Sequence, residues 1–244
     1  MGLFGKLFEK KECSICGGEI GLLGNRKLAD GNMCKNCAAK LSPWMTDRRQ
    51  STIQEIQEHL AYRERNKEKL ALFSVTRVLG NDMKVFFDEK RGWWLVSRRQ
   101  KFEEDNPDVL ELSQVTGCDV KIDEDKDEVK KDGPDGKKES YDPPRYIYRY
   151  NFDIMIHVNS DWFNEIHFRL NPSSIEGRNS VEYRETERQA NEIKAALLGV
   201  RQEIRERMEQ ERAPKAALIC PFCKATTTPD EQGRCEFCRG AILG

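Results

Sequence analysis

The sequence predicts an α+β protein in which two small cysteine-rich modules flank an antiparallel β domain. Three observations predict this class: a four-cysteine cluster near each end of the chain, a middle region that alternates apolar and polar residues, and helical periodicity on both sides of that region. We expect five parts: an amphipathic tail at 1–11, a first module at 12–45, a linker helix at 50–72, a β domain with a C-terminal helix at 73–212, and a second module at 215–244.

The cysteine spacing predicts two metal sites. Eight of the nine cysteines fall into four CxxC pairs. Each pair can place two thiolates on one ion, and two pairs complete the tetrahedral shell that Zn²⁺ takes in structural sites. Such a closed site keeps no open position for substrate or water, so it indicates a structural role. The predicted ligands are Cys13, Cys16, Cys34 and Cys37 for one Zn²⁺, and Cys220, Cys223, Cys235 and Cys238 for the other.

Disulfides and iron–sulfur clusters are the alternatives for the same cysteines. The chain begins MGLFGK, without the apolar run and cleavage site of a secretory signal. We therefore expect a cytoplasmic protein, and structural disulfides are rare in the reducing cytosol. A redox CxxC usually occurs once, near a βαβ pattern, and not as four pairs. Zinc is the favoured interpretation, and the ninth cysteine, Cys118, is expected to be a partly buried thiol.

The first module has the pattern of a treble clef. A cysteine knuckle is followed by a predicted hairpin at 25–32 and by a helix that starts within 34–41 and carries the last two ligands. The runs 13–19 and 27–37 resemble a bacterial zinc domain family of unknown function, seen mostly in Gram-positive bacteria, over about residues 10–70. That resemblance implies zinc and a cytoplasmic location, and it supplies no catalytic residues.

Residues 51–72 predict a helix with a largely polar surface. Ser51 and Gln54 match a capping box at its start. His59 lies beside an incomplete apolar stripe, and we expect it to be a surface histidine. Arg63 and Lys67 interrupt the stripe, and the interleaved acidic and basic residues favour a solvated face over a nucleic-acid patch.

Period-two alternation predicts antiparallel strands in the middle of the chain. The clearest is 146–159, with Tyr150, Phe152 and other apolar residues on one face. A second strand is predicted at 164–170, and a hairpin at 83–97. One or two more strands are expected within 109–122.

The segment 123–144 is dense in charge and contains two glycines and three prolines. We expect a long mobile loop there. His157 and His167 fall on the polar faces of consecutive strands, and we expect both to face solvent. A metal or catalytic pair is the alternative for them.

A long helix is predicted at 179–212, where Ile193, Leu197, Val200, Ile204 and Met208 recur at steps of three and four. A set of six or seven strands with a C-terminal amphipathic helix resembles the pleckstrin-homology or GRAM-type split barrel. The resemblance is one of architecture, and it implies that the helix closes one open end of the barrel. Beyond about residue 205 the helix is charged on most faces, so pairing with a partner helix is the alternative there.

The second module has the pattern of a zinc ribbon with two knuckles. Phe222 and Phe237 occupy the same place in each knuckle. A module of 30 residues has little core, so we expect these rings to supply it. An exposed pair that grips a partner is the alternative.

The N-terminal tail is amphipathic. Contact with a membrane surface is one interpretation, and packing against the protein itself is the favoured one, because two helical turns bury too little for stable anchoring. No apolar run is long enough to predict a membrane span. The apolar side of the tail consists of Leu3, Phe4, Leu7 and Phe8.

Non-enzymatic docking of protein partners is the predicted function, with the chain acting as a zinc-binding adaptor or scaffold. The chain has no recognised nucleotide-binding or hydrolase motif. An uncharacterised enzyme that uses Cys118 or the His157 and His167 pair is the weakest alternative, and no small-molecule substrate is indicated.

Nucleic-acid binding is the main alternative function. The formal net charge is −1, and two tetrathiolate zinc centres bring it to about −5. An acidic chain is a poor general binder of nucleic acid. Trp93 and Trp94 would stack bases if exposed. The local basic candidates are Arg48, Arg49, Arg98, Arg99, Lys101, Arg234 and Arg239.

Overall fold

The computed structural model describes residues 11–21, 23–212, 218–230 and 232–242. Side chains are described for these residues except within 200–218. The chain divides into two compact units, Met1–Arg201 and Gln202–Gly244. Described helices are few and the described sheets are all antiparallel, which confirms the mixed α+β class.

Two small hairpins and a short helix form the first module. Strands β1 (Lys11–Glu12) and β2 (Glu19–Ile20) pair with each other, as do β3 (Arg26–Lys27) and β4 (Asn32–Met33). The second pair confirms the predicted hairpin at 25–32. Helix α1 (Lys35–Ala38) follows directly and is capped by Cys34. The module therefore brings its first and last cysteines together within 25 residues of chain.

Helix α2 (Ile53–Leu72) is capped by Thr52, one residue later than the predicted cap. Thr52 and Glu55 form the capping box, and the prediction of Ser51 and Gln54 is wrong by that one residue. Two hydrogen bonds fix the position of the cap. The Thr52 hydroxyl accepts the Glu55 N–H, and the Glu55 carboxylate accepts the Thr52 N–H at 2.7 Å. Asp30 supports the same turn by accepting the Ile53 N–H at 2.8 Å.

One four-stranded sheet follows α2. Its strands are β5 (Arg77–Leu79), β6 (Lys84–Asp88), β7 (Trp93–Ser97) and β8 (Leu110–Glu111), in that order. The pairing of β6 with β7 confirms the hairpin predicted at 83–97. Its two faces are both buried: Phe86 and Leu95 pack with Leu70 of α2, while Phe87 and Trp94 join the main core.

The second sheet contains two very long strands. Strands β9 (Val115–Asp132) and β10 (Lys138–Val158) pair along their length, and β11 (Glu165–Arg169) and β12 (Ile175–Glu176) pair with β10. Strand β11 confirms the prediction at 164–170. The long β10 confirms the strand predicted at 146–159. On its predicted apolar face Phe152, Ile154 and Ile156 are fully buried, whereas Tyr146 and Tyr148 are exposed.

The mobile loop predicted at 123–144 is wrong. Most of it is strand, and only 133–137 form the turn between β9 and β10. Charged residues are compatible with strands here because they form ion pairs and a cation–π contact between β9 and β10. Lys138 pairs with Asp132 at 2.6 Å, Arg149 pairs with Asp127, and the Lys126 ammonium lies 3.8 Å from the centre of the Tyr146 ring.

The main core lies between both sheets and the last helix. Helix α3 (Val181–Arg212) confirms the helix predicted at 179–212. Within the core, Tyr183 contacts Tyr150 and Phe152 edge-on, and Ile193 and Leu197 are fully buried. Of the remaining apolar positions predicted for this helix, Val200, Ile204 and Met208 have side chains outside the described set.

The second unit contains a small two-stranded sheet. Strand β13 (Leu218–Ile219) pairs with β14 (Thr226–Thr227), and Arg234 forms an isolated bridge with Ala241. Two tight turns at 221–223 and 236–238 carry the cysteine pairs. Within residues 218–230 and 232–242, two knuckles are therefore held by short antiparallel pairings.

Candidate metal centres

The first cysteine cluster closes around a single point. The Sγ atoms of Cys13 and Cys37 are 3.9 Å apart, and those of Cys16 and Cys34 are 3.8 Å apart. All four sulfur atoms lie within 4.8 Å of one another. Cys13 and Cys37 are buried, while Cys16 is exposed.

These distances fit a tetrathiolate zinc site. With Zn–S bonds of about 2.3 Å, the edges of the tetrahedron are about 3.8 Å. A disulfide would need two sulfur atoms at about 2.05 Å, and all nine cysteines are free thiols. The two clusters can therefore each hold one Zn²⁺, as the spacing predicts.

Backbone amides point at the sulfur atoms of the first centre. The Cys34 N–H lies 3.2 Å from the Cys13 sulfur, and the Cys37 N–H lies 3.4 Å from the Cys34 sulfur. Burial alone raises the pKa of Cys13, but N–H groups of Cys34, Cys16 and Ile15 outweigh it and lower that pKa to about 6. These donors favour the thiolate, which is the form that binds a metal.

The second cluster has the same geometry on a different frame. Its Sγ distances are 3.6 Å between Cys220 and Cys238 and 3.7 Å between Cys223 and Cys235. N–H groups of Cys238 and Phe237 are the main reason that the pKa of Cys235 falls to about 6. Cys220 and Cys235 are fully buried, whereas Cys223 and Cys238 are exposed.

Three of the four CxxC pairs form the same tight knuckle. In each, the residue after the second cysteine has a positive φ: Gly17 at 72°, Lys224 at 60° and Arg239 at 57°. The N–H of that residue bonds to the carbonyl of the first cysteine at 2.8 to 2.9 Å. The fourth pair differs, because Cys34 and Cys37 sit at the start of α1.

The other predicted candidates do not assemble into a site. Cys118 is 3% exposed, and burial raises its pKa to about 11. His157 lies 3.0 Å from Asp119, while His167 lies 3.6 Å from Asp153. In the strand register His157 faces Glu165 and His167 faces Met155, so the two histidines are diagonal and each has its own carboxylate. Within the described part of the chain, only the two cysteine clusters gather three or more potential metal ligands.

His59 is fully buried, so the surface position predicted for it is wrong. Its Nε2 accepts the Ser42 N–H at 3.0 Å, and its ring packs against Trp162 at 4.9 Å and Tyr62 at 5.6 Å. Burial lowers its pKa to about 4. The neighbouring Arg63, also expected to be solvated, is buried as well.

The two phenylalanines of the ribbon are exposed, which corrects their expected role as a small core. Phe222 is 67% exposed and Phe237 is 65% exposed. The metal centre takes the place of a core here: Cys220 and Cys235 are fully buried and Thr227 is 3% exposed. Ile219 adds a third apolar side chain at 69% exposure.

Several residues that the sequence analysis offered for nucleic-acid contact are buried or paired with carboxylates. Trp94 is fully buried, and Trp93 is half-buried beneath Lys69 and Arg91. Arg98 pairs with Asp82 at 3.1 Å, and Arg99 pairs with Asp105 at 3.2 Å.

Leu3, Phe4, Leu7 and Phe8 lie outside the described residues, so membrane contact through them stays a prediction. Among the helices that the structure describes, none is both long enough and apolar enough to cross a membrane.

One family model matches the N-terminal part of the chain. Residues 11–59 are similar to a domain of unknown function, DUF4428. The match overlaps the first cysteine cluster and extends into α2, so it agrees with a zinc-binding module at the N-terminus. No curated protein and no solved structure matches the chain.

Proposed function

We propose that this protein is a non-enzymatic, zinc-stabilised adaptor that docks protein partners. The observation that carries the proposal is the exposure of three apolar side chains in the second unit. Ile219, Phe222 and Phe237 are each at least 65% exposed. We call these three side chains the ribbon patch. Aromatic side chains displayed in this way are typical of the centres of protein interfaces.

The ribbon patch has a fixed framework. Each ring occupies the third position of a metal-binding knuckle, where two cysteines hold the turn on either side. The Phe222 ring also stands over Gly240, since a Cβ there would lie 2.8 Å from its Cδ2 atom. A rigid aromatic group loses little conformational entropy when a partner covers it, which makes it an efficient anchor.

We further propose that the two large sheets and α3 form a binding scaffold of the pleckstrin-homology or GRAM type. Support comes from two four-stranded antiparallel sheets that share one core with a helix at the C-terminal end of the domain. The scaffold has eight strands, β5 to β12, against the six or seven that the sequence predicts.

The chemistry of the candidate sites supports docking over catalysis. Four-thiolate centres offer zinc no open position. With a pKa of about 11, the Cys118 thiol is protonated at neutral pH and is a poor nucleophile. Docking is also favoured over nucleic-acid binding, because Trp94 is buried and Arg98 and Arg99 are paired with carboxylates.

The test is partner capture by the zinc-loaded full chain and by a Phe222→Ala/Phe237→Ala variant. Captured proteins are cross-linked, identified by mass spectrometry and then purified for direct binding. The matched control is Leu72→Ala/Val181→Ala, which removes two apolar side chains that are 58% and 76% exposed in the other unit.

We expect the ribbon variant to keep its zinc and to bind the purified partner at least tenfold more weakly, because exposed aromatic anchors commonly carry 2 kcal/mol or more of binding. The control should bind like the wild type. Equal affinity of the wild type and the ribbon variant for every purified partner would overturn this role for the ribbon patch.

A further inference from the structure

We propose that two copies of this chain pair along the outer edge of β9 and so form a homodimer with a continuous β-sheet. The proposal concerns a surface in the first unit and is independent of the ribbon patch. It follows from an open strand edge, from the way the neighbouring edge is blocked, and from the charge order along β9.

The outer edge of β9 is open. Among the described strands, β9 pairs only with β10. From Glu124 to Asp132 every residue is exposed except Val129, which is half-buried. An edge strand of this kind presents unpaired N–H and C=O groups to any strand that approaches it.

The outer edge of β10, on the other side of this strand pair, is blocked, whereas the outer edge of β9 is not. The pairing of β10 jumps from Ser140 to Arg145, so four residues bulge out of the strand, and two of them are Pro143 and Pro144. Proline has no N–H to offer, and a bulge interrupts an edge. The register of β9 is unbroken from Gly117 to Asp132 and contains no proline. Only the β9 edge therefore remains suitable for a long pairing.

The charges along β9 are ordered so that the strand complements itself. Within residues 123–132, three acidic residues, Asp123, Glu124 and Asp125, come first, and Lys130 and Lys131 lie near the end. In an antiparallel pair centred on Asp127, opposite charges face each other at Glu124 and Lys130, at Asp123 and Lys131, and at Lys126 and Glu128. The two-fold symmetry repeats each of these contacts, and only Asp127 meets its own copy.

The neighbouring registers place like charges opposite each other. Because alternate residues of a strand point their N–H and C=O groups to opposite edges, the pairing can shift only by two residues. One such shift places Asp125 opposite Asp127 and Glu124 opposite Glu128, and the other places Lys126 opposite Lys130 and Glu124 opposite Asp132. Like charges directly opposite each other destabilise a strand pair. Lys130 and Lys131 have no ion pair among the described side chains, so they remain available to a second copy. The charge pattern thus selects both the partner and the register.

Two variants with reversed charges on β9 test whether the dimer forms. One variant carries Asp123→Lys/Glu124→Lys and the other Lys130→Glu/Lys131→Glu, and both are studied as zinc-loaded full chains by sedimentation. The wild type should be a dimer and each variant alone a monomer. An equimolar mixture should form a heterodimer, because every reversed charge then meets a reversed partner. The control Lys90→Glu/Lys101→Glu, which changes the net charge as much as Lys130→Glu/Lys131→Glu does but at exposed sites outside β9, should remain a dimer.

A second pair of variants tests the register. Asp127→Cys should form an intermolecular disulfide, because directly opposed residues have Cα atoms about 4.5 to 5.5 Å apart. Asp125→Cys should not, since its copy lies four residues away along the strand. A wild type that sediments as a monomer at all concentrations, a mixture that fails to associate, or equal cross-linking at both positions would overturn the proposal.

Discussion

Asp108 joins three segments that lie far apart in the sequence. Its carboxylate accepts hydrogen bonds from Arg63 at 2.7 Å, from the Ser42 hydroxyl at 2.7 Å and from the Tyr62 hydroxyl at 3.1 Å. Asp108 and Arg63 are 2% and 5% exposed. A buried carboxylate with this many donors holds the first module, α2 and the segment before β8 in one arrangement.

We predict that either Asp108→Ala or Arg63→Ala lowers the free energy of unfolding by about 3 to 5 kcal/mol, since each leaves an unpaired buried charge. Urea denaturation of the zinc-loaded protein measures the change. Lys67→Ala is the control: Lys67 pairs with Glu64 at 2.6 Å but both side chains are more than half exposed, so its loss should cost less than about 1 kcal/mol. Equal costs for the buried and the exposed pair would contradict this.

His59 makes stability depend on pH. Burial lowers its pKa to about 4 in the folded protein, against about 6.5 when unfolded. Between these values the unfolded chain binds a proton that the folded chain does not, so stability falls as the pH falls from 6.5 to 4. We predict that His59 accounts for a loss of about 2 kcal/mol between pH 7.5 and pH 5.

Urea denaturation of His59→Gln at both pH values measures that contribution. The glutamine carbonyl can still accept the Ser42 N–H but does not titrate, so the variant should lose about 2 kcal/mol less than the wild type. Identical pH dependence in His59→Gln and the wild type would refute the assignment.

The role of a single residue could be predicted where the residues it contacts lie close to it in the sequence. The eight metal ligands follow from CxxC spacing alone, because each pair closes a turn within four residues. His59 was misassigned because its neighbours Ser42 and Trp162 are 17 and 103 residues away in the sequence. Phe222 and Phe237 were misassigned because the metal centre removes the need for an apolar core.

At the scale of elements, the start of α2 rests on a single threonine. We predict that Thr52→Ala costs about 1 kcal/mol of stability, because the Thr52 hydroxyl accepts the Glu55 N–H and alanine cannot replace that bond. Ser51→Ala should cost clearly less, since the Ser51 hydroxyl makes only a 3.3 Å bond to the Asp47 carbonyl. Thermal unfolding of the two variants ranks them, and a larger loss for Ser51→Ala would show that the cap lies where the sequence alone suggests.

Strands β9 and β10 show why the composition of residues 123–144 led to a wrong prediction of a loop. Charge density with glycine and proline is typical of loops, yet 123–132 and 138–144 are strand. The pairing is decided across the strands, through contacts such as Lys126 with Tyr146 and Lys138 with Asp132. The sequence alone does not show which residues will pair across two strands. The alternation at 146–158, in contrast, lies within one strand and is visible in the sequence.

At the scale of the whole molecule, each of the two separate units contains one four-cysteine cluster with tetrahedral spacing. The first cluster belongs to a unit that also contains the large sheets, and the second supplies the framework of the ribbon patch. If the second cluster held something other than zinc, the ribbon patch would lose its physical basis.

The most direct test is the metal content of the purified chain, compared with Cys13→Ser, Cys220→Ser and Cys118→Ser. We predict two zinc ions per chain for the wild type and for Cys118→Ser, and one for each of the other two variants. Cobalt substitution should give the spectrum of tetrahedral thiolate coordination at both sites. Iron in place of zinc, disulfides without metal, or zinc lost on changing Cys118 would contradict the assignment of two tetrathiolate zinc centres.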